Sequence, residues 1–535
     1  MSIMADGRDP LVITLRQESS VSREWGVLDT LLYNLMTMNF AVMFTVPFLA
    51  AVALYPRGDL PVAILIAGVL CCAEAVVYAF LASSVPRSGG DYFLQKRLVS
   101  QAIGKVFAFT GVVLGGALWM AIAGWFAANV AVGPLLTVVG RLTGHDAFLS
   151  CAALVRSSHG VFLLSLTVVI WSATVNIWGL RTYAILQRIS WAVGAGALIF
   201  LALLVALLGA DRVGSADLYT EALMRARALG FDPGAGSGAA MGTMALVPVA
   251  AFSLIYPAWS VQQVGEVRRA SRLRSQLVTM VLAEALTAVF SAVVVALVLA
   301  NVDRDGLAAG AYLFLFERSA MPDPNVPFYW FFDGSLWPSG SAVLALAVLF
   351  NAWFWMWVPD ITLAASRVML AMSSDRSLPA WLGDPWGRHR APAKAIALFS
   401  AVCVVPAALY AYTPLWRLTL SVTLLNVLAF AVTCAGGACA PYTNREFYRE
   451  STAARFEILK VPLITWCGGG FCLFAAFLVW RFAVDAGLAL GAPRWALFAF
   501  VAVTYVTAYL VQVLVTRFGG YRKGRGAEVI YRLTD

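Results

Sequence analysis

Long apolar runs, separated by short polar segments, fill most of the chain. Crossing the hydrocarbon core of a bilayer takes about 20 helical residues, and twelve runs approach or exceed this length. The runs are continuously apolar, without the alternation of a membrane barrel, and they therefore predict helices. The twelve predicted spans are residues 27–54, 60–82, 106–132, 161–179, 183–208, 245–264, 277–300, 342–372, 391–412, 418–440, 461–479 and 495–515.

The composition agrees with this pattern. Of the 535 residues, 61% are hydrophobic and only 13% are charged, which is far less charge than soluble domains of this total length would carry. The expected fold class is therefore an all-α polytopic membrane protein of about twelve transmembrane helices. Its surroundings are the lipid bilayer, and its oligomeric state is left open.

The loops alternate in charge, and this alternation predicts the orientation. One set is rich in arginine and lysine, whereas the other is mixed or acidic. By the positive-inside rule, both termini are expected on the cytoplasmic side of the inner membrane. The net charge of +9 forms no single stripe, so no nucleic acid partner is expected. The basic loops hold Arg87, Lys96, Arg97 and Lys105, Arg181, Arg268, Arg269, Arg272 and Arg274, Arg388, Arg390 and Lys394, and Arg445, Arg449, Arg455 and Lys460.

Cysteine and histidine patterns predict neither a metal site nor a cofactor. The eight cysteines include no Cys-x-x-Cys pair, and the three histidines fall in or beside loops. An intramembrane haem or metal centre held by histidines is therefore not expected.

Two long loops, 211–242 and 303–340, are predicted on the outer face. The second carries several prolines and a run of aromatic residues, and we expect it to fold over that face. The sequence leaves open whether it is a passive lid or a gate.

Polar residues and prolines interrupt the first and sixth predicted spans. The first carries Thr37 and Asn39 near its midpoint, and in the sixth Pro257 leaves carbonyls near Ser253 without their helical donors. In hydrocarbon such groups must be satisfied by protein, water or a ligand. Interruptions at corresponding positions suggest a transporter of two inverted five-helix repeats with a mid-membrane site. A harmless proline kink is the alternative interpretation.

Three acidic residues lie deep within predicted spans. Asp360 in the eighth span is the most notable, and Glu74 and Glu284 lie in the second and seventh. A carboxylate at such depth costs several kcal/mol unless it is paired, protonated or bound to a cation. For Asp360, a permanent ion pair with Arg188 or Arg367 is the alternative to a functional role.

Three segments resemble the permeases of the amino acid–polyamine–organocation superfamily. They are Pro-Arg-Ser-Gly-Gly-Asp-Tyr at 86–92, Gly-Glu-Val-Arg-Arg-Ala-Ser-Arg at 265–272, and Arg-Val-Met-Leu-Ala-Met-Ser-Ser-Asp-Arg-Ser-Leu-Pro at 367–379. The resemblance covers most of residues 25–440 and implies a five-plus-five inverted repeat, two further helices and alternating access. The expected division is a cytoplasmic segment 1–24, a transport core 25–440 with repeats 25–210 and 243–440, accessory helices in 441–516, and a cytoplasmic tail 517–535.

The resemblance also implies that the substrate lies against the broken parts of the first and sixth helices, with Phe252 in the place of an aromatic gate. Three positions depart from the family. Its first-helix glycine triplet is replaced by residues 40–42, which puts recognition of an α-amino-acid carboxylate in doubt. A second-helix glutamate falls at Phe80, and a fifth-helix lysine falls at Gly194. Together with Trp357, the candidate substrate-binding residues are Thr37, Asn39, Phe40, Ala41, Ala251, Phe252, Ser253, Ile255 and Tyr256.

We expect a secondary carrier for an amino acid or a related small amine. The resemblance places Asp360 in the part of the eighth helix that sodium-coupled relatives use for ion coupling. It is therefore the candidate ion-coupling residue, for Na⁺ or H⁺. One alternative is a carrier for a polyamine or another organocation. Another is a membrane-embedded enzyme acting on lipid-linked substrates, which would need clustered acids or a His–Asp pair at an interface. The sequence offers neither, so no enzyme activity is expected.

Overall fold

The computed structural model describes residues 24–208, 216–234, 238–323, 340–384, 386–387 and 391–518. Within these ranges, eleven helical segments are long and apolar enough to cross a membrane. We number them as spans 2 to 12 in chain order. They are Leu60–Ser84, Gln101–Thr143, Ser158–Ile177, Leu180–Leu203, Ala239–Glu266, Leu273–Asn301, Leu344–Ser374, Ala393–Tyr412, Val422–Thr443, Leu463–Val484 and Arg494–Arg517.

The predicted first span is present but divided. It consists of three helices, Val27–Met38, Phe40–Met43 and Val46–Leu54, none of which alone is long enough to cross a bilayer. We call this region span 1. The all-α polytopic fold is thus confirmed, with eleven candidate spans and one interrupted segment where twelve spans were predicted.

Span 3 is longer than its predicted range of 106–132. It runs over Gln101–Thr143 and includes two π-helical stretches, Phe109–Leu114 and Ala127–Val132. Both ends of this helix carry polar or charged side chains, so a prediction from hydrophobicity alone leaves out its terminal residues.

Spans 2 and 7 lie side by side, and no other two described helices share a more extensive contact. Small residues make this approach possible. A Cβ atom added to Gly68 in span 2 would lie only 2.4 Å from the Cβ of Ala288 in span 7, so the two helices are in direct contact there.

Short elements cover the two ends of the bundle. Helix Arg304–Phe316 packs against the last helix of span 1 and against Ala216–Ala228, so the described part of the second long loop is packed on the bundle. The aromatic run predicted at 328–332 lies outside the described residues. The remaining short helices are Gly90–Leu98, Asp146–Arg156 and Arg445–Glu450, and the 3₁₀ turns are Arg318–Ala320, Ala380–Gly383, Pro414–Leu418, Thr452–Arg455 and Ala486–Ala489; strands Glu457–Ile458 and Val461–Pro462 form an antiparallel hairpin.

Candidate functional site

The interruption of span 1 lies at Asn39, as predicted. Its backbone has φ of 40°, in the left-handed region, between helices Val27–Met38 and Phe40–Met43. Asparagine tolerates this region better than most residues do, which explains why the helix stops here. Pro47 lies in the first turn of the third helix, where its missing N–H costs no helical hydrogen bond.

Span 6 is broken at the corresponding place. Its helix Ala239–Leu254 ends, four non-helical residues follow, and a 3₁₀ turn continues over Trp259–Glu266. Pro257 lies within the non-helical stretch and prevents the ladder of backbone hydrogen bonds from continuing. The predicted interruption is therefore confirmed for both spans.

Four aromatic rings meet beside the break in span 6. The ring of Trp119 in span 3 lies 4.7 Å from Phe252, 5.7 Å from Tyr256 and 5.9 Å from Trp357, between centroids. We call these four residues the central aromatic cluster. The Trp119 indole donates to the Tyr256 hydroxyl at 2.9 Å, and the amide of Asn426 in span 10 donates to the same oxygen at 2.7 Å.

Trp119 and Asn426 were not among the predicted site residues. Trp119 is one of several tryptophans in apolar surroundings, so its sequence context gave no signal. Asn426 did carry one, because a primary amide inside an apolar span needs a hydrogen-bond partner. Its role depends on its partner Tyr256, which is distant in the sequence.

The remaining predicted substrate residues fall into three groups. Ala251 and Ile255 are fully buried, and so is Asn39. The Ser253 hydroxyl is buried without a hydrogen-bond partner among the described residues, whereas the half-buried Thr37 donates its hydroxyl to the Tyr33 carbonyl at 2.9 Å. The side chains of Phe40 and Ala41 lie outside the described part of the structure.

Asp360 is buried deep in span 8, one helical turn beyond Trp357. The Tyr33 hydroxyl donates to its main-chain carbonyl at 3.0 Å, which fixes span 8 against the first helix of span 1. Thr37 and the backbone N–H of Ile361 lie within interaction range of the carboxylate, yet neither carboxylate oxygen makes a hydrogen bond of acceptable length and angle in the described chain. Asp360 thus places an acidic group without an opposing charge close to the break at Asn39.

The two basic residues that could have neutralised Asp360 are paired elsewhere. Arg188 contacts the carboxylate of Asp29 at 2.5 Å. Arg367 forms a two-pronged ion pair with Glu266, at 2.5 and 3.0 Å. The permanent ion pair considered as the alternative for Asp360 is therefore absent among the described residues.

The three sequence motifs come together at one end of the bundle, which we call the motif face. Gly89 there has φ of 82° and donates its N–H to the Gln262 carbonyl at 2.6 Å. A Cβ on Gly90 would lie 2.4 Å from the carbonyl oxygen of Val261, so only glycine allows this approach. Asp375 accepts from Tyr92 and, at 2.7 Å, from Lys96.

The segment before span 1 closes the same face. The N–H of Trp25 donates to the Glu266 carbonyl at 3.3 Å, and its carbonyl accepts from Arg268 at 2.8 Å. The exit of span 6 is thus held simultaneously by residue 25 and by span 8. This closure explains why the motifs need both glycines and charges.

Gly194, where the resemblance to the family places a fifth-helix lysine, is packed against a neighbouring side chain. A Cβ added to Gly194 would lie 2.1 Å from the indole ring of Trp353 in span 8. A lysine has no room there without displacing that ring. The absence of this cation, noted from the sequence, is therefore built into the packing between spans 5 and 8.

Comparison with known families identifies the chain over nearly its whole length. The model of the family described as "Amino acid permease" matches residues 31–508, a range that includes both helix breaks, all three motifs and Asp360. A search of curated proteins found no match. This chain belongs to the amino acid permease family of the amino acid–polyamine–organocation superfamily, whose members are membrane transporters of amino acids or amines.

Proposed function

We propose that this permease moves an amino acid or a related small amine by alternating access, and that Asp360 couples the movement to a cation. The observation that carries the proposal is the buried Asp360 carboxylate, which has no hydrogen-bond partner in the described chain. A carboxylate within the hydrocarbon costs several kcal/mol unless it is neutralised. A cation that binds and leaves would neutralise it reversibly.

Either of two cations fits the surroundings of Asp360. Sodium prefers oxygen ligands, as hard cations do, and the hydroxyl of Thr37 is an oxygen atom within interaction range of the carboxylate. Helix Val27–Met38 ends one residue after Thr37, and its last carbonyls have no helical donors there. A proton would need no further ligand at all. The proposal therefore includes both ions and leaves their choice to experiment.

The central aromatic cluster supports an amine as the recognised group. A cation over the face of tryptophan, tyrosine or phenylalanine gains roughly 0.5 to 2 kcal/mol, and more when water is excluded. All four rings are buried. The unpartnered Ser253 hydroxyl beside Phe252 is an available hydrogen-bond partner for a polar group of the substrate. In this proposal the rings hold the ammonium end of the substrate, and Asp360 binds the coupling cation.

Alternating access and orientation belong to the same proposal. The motif face carries the basic loops, so the positive-inside rule assigns it to the cytoplasm, with both termini there and the protein in the inner membrane. The proposed division into repeats 25–210 and 243–440 puts one broken helix in each repeat. Opening of the motif face would then require Glu266 and Arg367 to separate while the opposite face closes.

A thermal-shift screen followed by transport tests this proposal. Purified protein is mixed with single amino acids, polyamines and quaternary amines, each with and without sodium and at two pH values. We expect stabilisation by an amine-bearing compound that depends on one of the two cations, because a ligand that binds only the folded state raises its stability. The same compound should accumulate in proteoliposomes under a gradient of that cation.

Two results would separate the alternatives. Stabilisation by a polyamine or a quaternary amine, without any amino acid, would assign the substrate to the wider organocation class. Chemical conversion of the compound, with no accumulation in sealed vesicles, would contradict transport and favour an enzyme. Accumulation that is indifferent to both cation gradients would contradict coupling while leaving the permease assignment in place.

A further inference from the structure

Three aromatic rings surround an arginine at the end of the bundle opposite the motif face. The guanidinium carbon of Arg318 lies 4.4 Å from the ring centroid of Phe314, 5.0 Å from that of Trp416 and 5.2 Å from that of Trp125. All three distances are within the roughly 6 Å over which the face of an aromatic ring attracts a cation. We call Trp125, Phe314 and Trp416 the outer cage.

The outer cage lies farther from the motif face than the central aromatic cluster does. Span 3 begins at the motif face, where a Cβ on Gly104 would lie 3.2 Å from the carbonyl oxygen of Tyr92. Trp125 follows Trp119 of the central cluster by six residues within the α-helical stretch Gly115–Phe126. At 1.5 Å per residue this places Trp125 about 9 Å farther along span 3.

Two oxygen atoms complete the outer cage. The Nε of Arg318 donates to the Phe314 carbonyl at 2.9 Å, and a terminal nitrogen donates to Oδ1 of Asn129 at 3.4 Å. The amide nitrogen of Asn129 donates to the Trp125 carbonyl at 3.0 Å, so both ends of this side-chain amide are engaged at the cage. Ring faces and neutral oxygen acceptors together suit an organic cation that carries N–H groups.

Arg318 covers this site from the solvent side. Trp125 and Phe314 are buried, whereas Arg318 is exposed. The described hydrogen bonds of Arg318 go to a carbonyl and to an amide oxygen, and none goes to a carboxylate. Departure of the guanidinium would therefore leave no buried negative charge without a partner, and it would open the ring faces to another cation.

The same arginine connects three parts of the chain. The rings that it contacts belong to span 3, to helix Arg304–Phe316 and to the turn between spans 9 and 10. Helix Arg304–Phe316 also packs against the last helix of span 1. An ion pair between Arg141 and Asp323 joins the segment after Arg318 to span 3 a second time. Opening of this end between these parts would require Arg318 to leave the cage.

We propose that the outer cage is a second binding site for an organic cation, which Arg318 occupies while this end of the bundle is closed and which an incoming amine or guanidine occupies when Arg318 leaves. The choice of ligand rests on the proposed function, in which the substrate is an amine. The exchange replaces one organic cation by another and changes no covalent bond. It places the incoming amine about 9 Å along span 3 from the central aromatic cluster.

Fluorine NMR of the full-length protein labelled with fluorotryptophan tests this site without transport. The signals of Trp125 and Trp416 are assigned from Trp125→Phe and Trp416→Phe. The probe is methylguanidinium, and methylurea, which has nearly the same shape but no charge, is the control ligand. In Arg318→Ala we expect methylguanidinium to shift both signals in a saturable way and methylurea to shift neither. The wild type should need a roughly tenfold higher concentration of the probe, because a tethered arginine competes with it.

Arg225→Ala is the matched control. Arg225 donates to the carbonyl of Ala320, in the same turn as Arg318, at 3.1 Å, but it makes no ring contact in the described structure. Its titration should equal that of the wild type. If Arg318→Ala does not fold, Arg318→Gln removes the charge, keeps most of the length and should respond in the same way.

Three results would overturn the proposal. They are the absence of a shift with methylguanidinium in the folded Arg318 variant, an equal shift with methylurea, and a titration of that variant that matches the wild type or Arg225→Ala. None of these measurements involves accumulation of a substrate or a cation gradient. Failure of the proposed function would therefore be recognised separately, in the transport experiments.

Discussion

Buried acidic side chains are paired with basic residues at the motif face but not in the middle of the bundle. At the motif face, Glu266 is neutralised by Arg367, and Asp375 by Lys96. At mid-membrane, Asp360 and Glu284 are fully buried, yet neither carboxylate has a hydrogen-bond partner among the described residues. The same chemical group is therefore compensated within the chain at one level and left uncompensated at the other.

This difference indicates what each region does. A paired charge holds two segments together and is costly to separate. An unpaired carboxylate in hydrocarbon needs a partner from outside the chain. We therefore propose that the motif face serves closure and that Asp360 binds a cation or a proton. The predictions that follow test each half of this assignment.

The largest effect on stability is expected from breaking the Glu266–Arg367 pair. Arg367→Gln leaves the Glu266 carboxylate buried with no opposing charge, which should cost about 3–5 kcal/mol in the free energy of unfolding. Thermal unfolding of the purified protein measures this loss. The double variant with Glu266→Gln should recover much of it, because no charge then remains unpaired.

A single Arg367→Gln variant as stable as the wild type would contradict the role of this pair in closure. A double variant no better than the single one would show that the cost arises from lost packing of the arginine. Either result would mean that charge pairing does not stabilise the motif face, and the contrast between the two regions would no longer hold.

A smaller effect is expected in the central aromatic cluster. Tyr256→Phe removes the oxygen that accepts from Trp119 and Asn426, and it leaves two buried donors unpaired. Such a loss costs about 1–3 kcal/mol, and we expect a higher KM for transport together with lower stability. Tyr183→Phe is the matched control, since that buried hydroxyl has no hydrogen-bond partner in the described structure. If both substitutions lowered stability and raised KM equally, the role given to the Tyr256 hydroxyl as acceptor for Trp119 and Asn426 would be contradicted.

The smallest effect is expected from an exposed ion pair. Lys394 and Asp384 are 2.7 Å apart, but their side chains are 47% and 58% exposed. Such pairs contribute about 0–1 kcal/mol, so Lys394→Ala should leave the unfolding temperature and the transport rate nearly unchanged. A loss comparable to that of Arg367→Gln would mean that burial is not what separates the two kinds of pair.

The sequence predicted the elements better than the contacts. Long apolar runs gave the spans, and Asn39 and Pro257 gave the two breaks, because these signals are local. Trp119 was missed since its role depends on rings from spans 6 and 8. The alternative partners for Asp360 could not be decided either, because Arg188 and Arg367 are engaged by residues distant in the sequence. Orientation and the choice of coupling ion stay predictions.

Asp360→Asn in proteoliposomes tests the central claim most directly. Two rates are compared for the substrate found by the thermal-shift screen: uphill accumulation under a cation gradient, and exchange at equal concentrations without one. We predict that accumulation is lost while exchange survives and the protein remains folded, because the variant has no carboxylate to neutralise. Asp384→Asn, an exposed position, should behave as the wild type. An Asp360→Asn variant that still concentrates substrate with unchanged cation dependence would contradict the account.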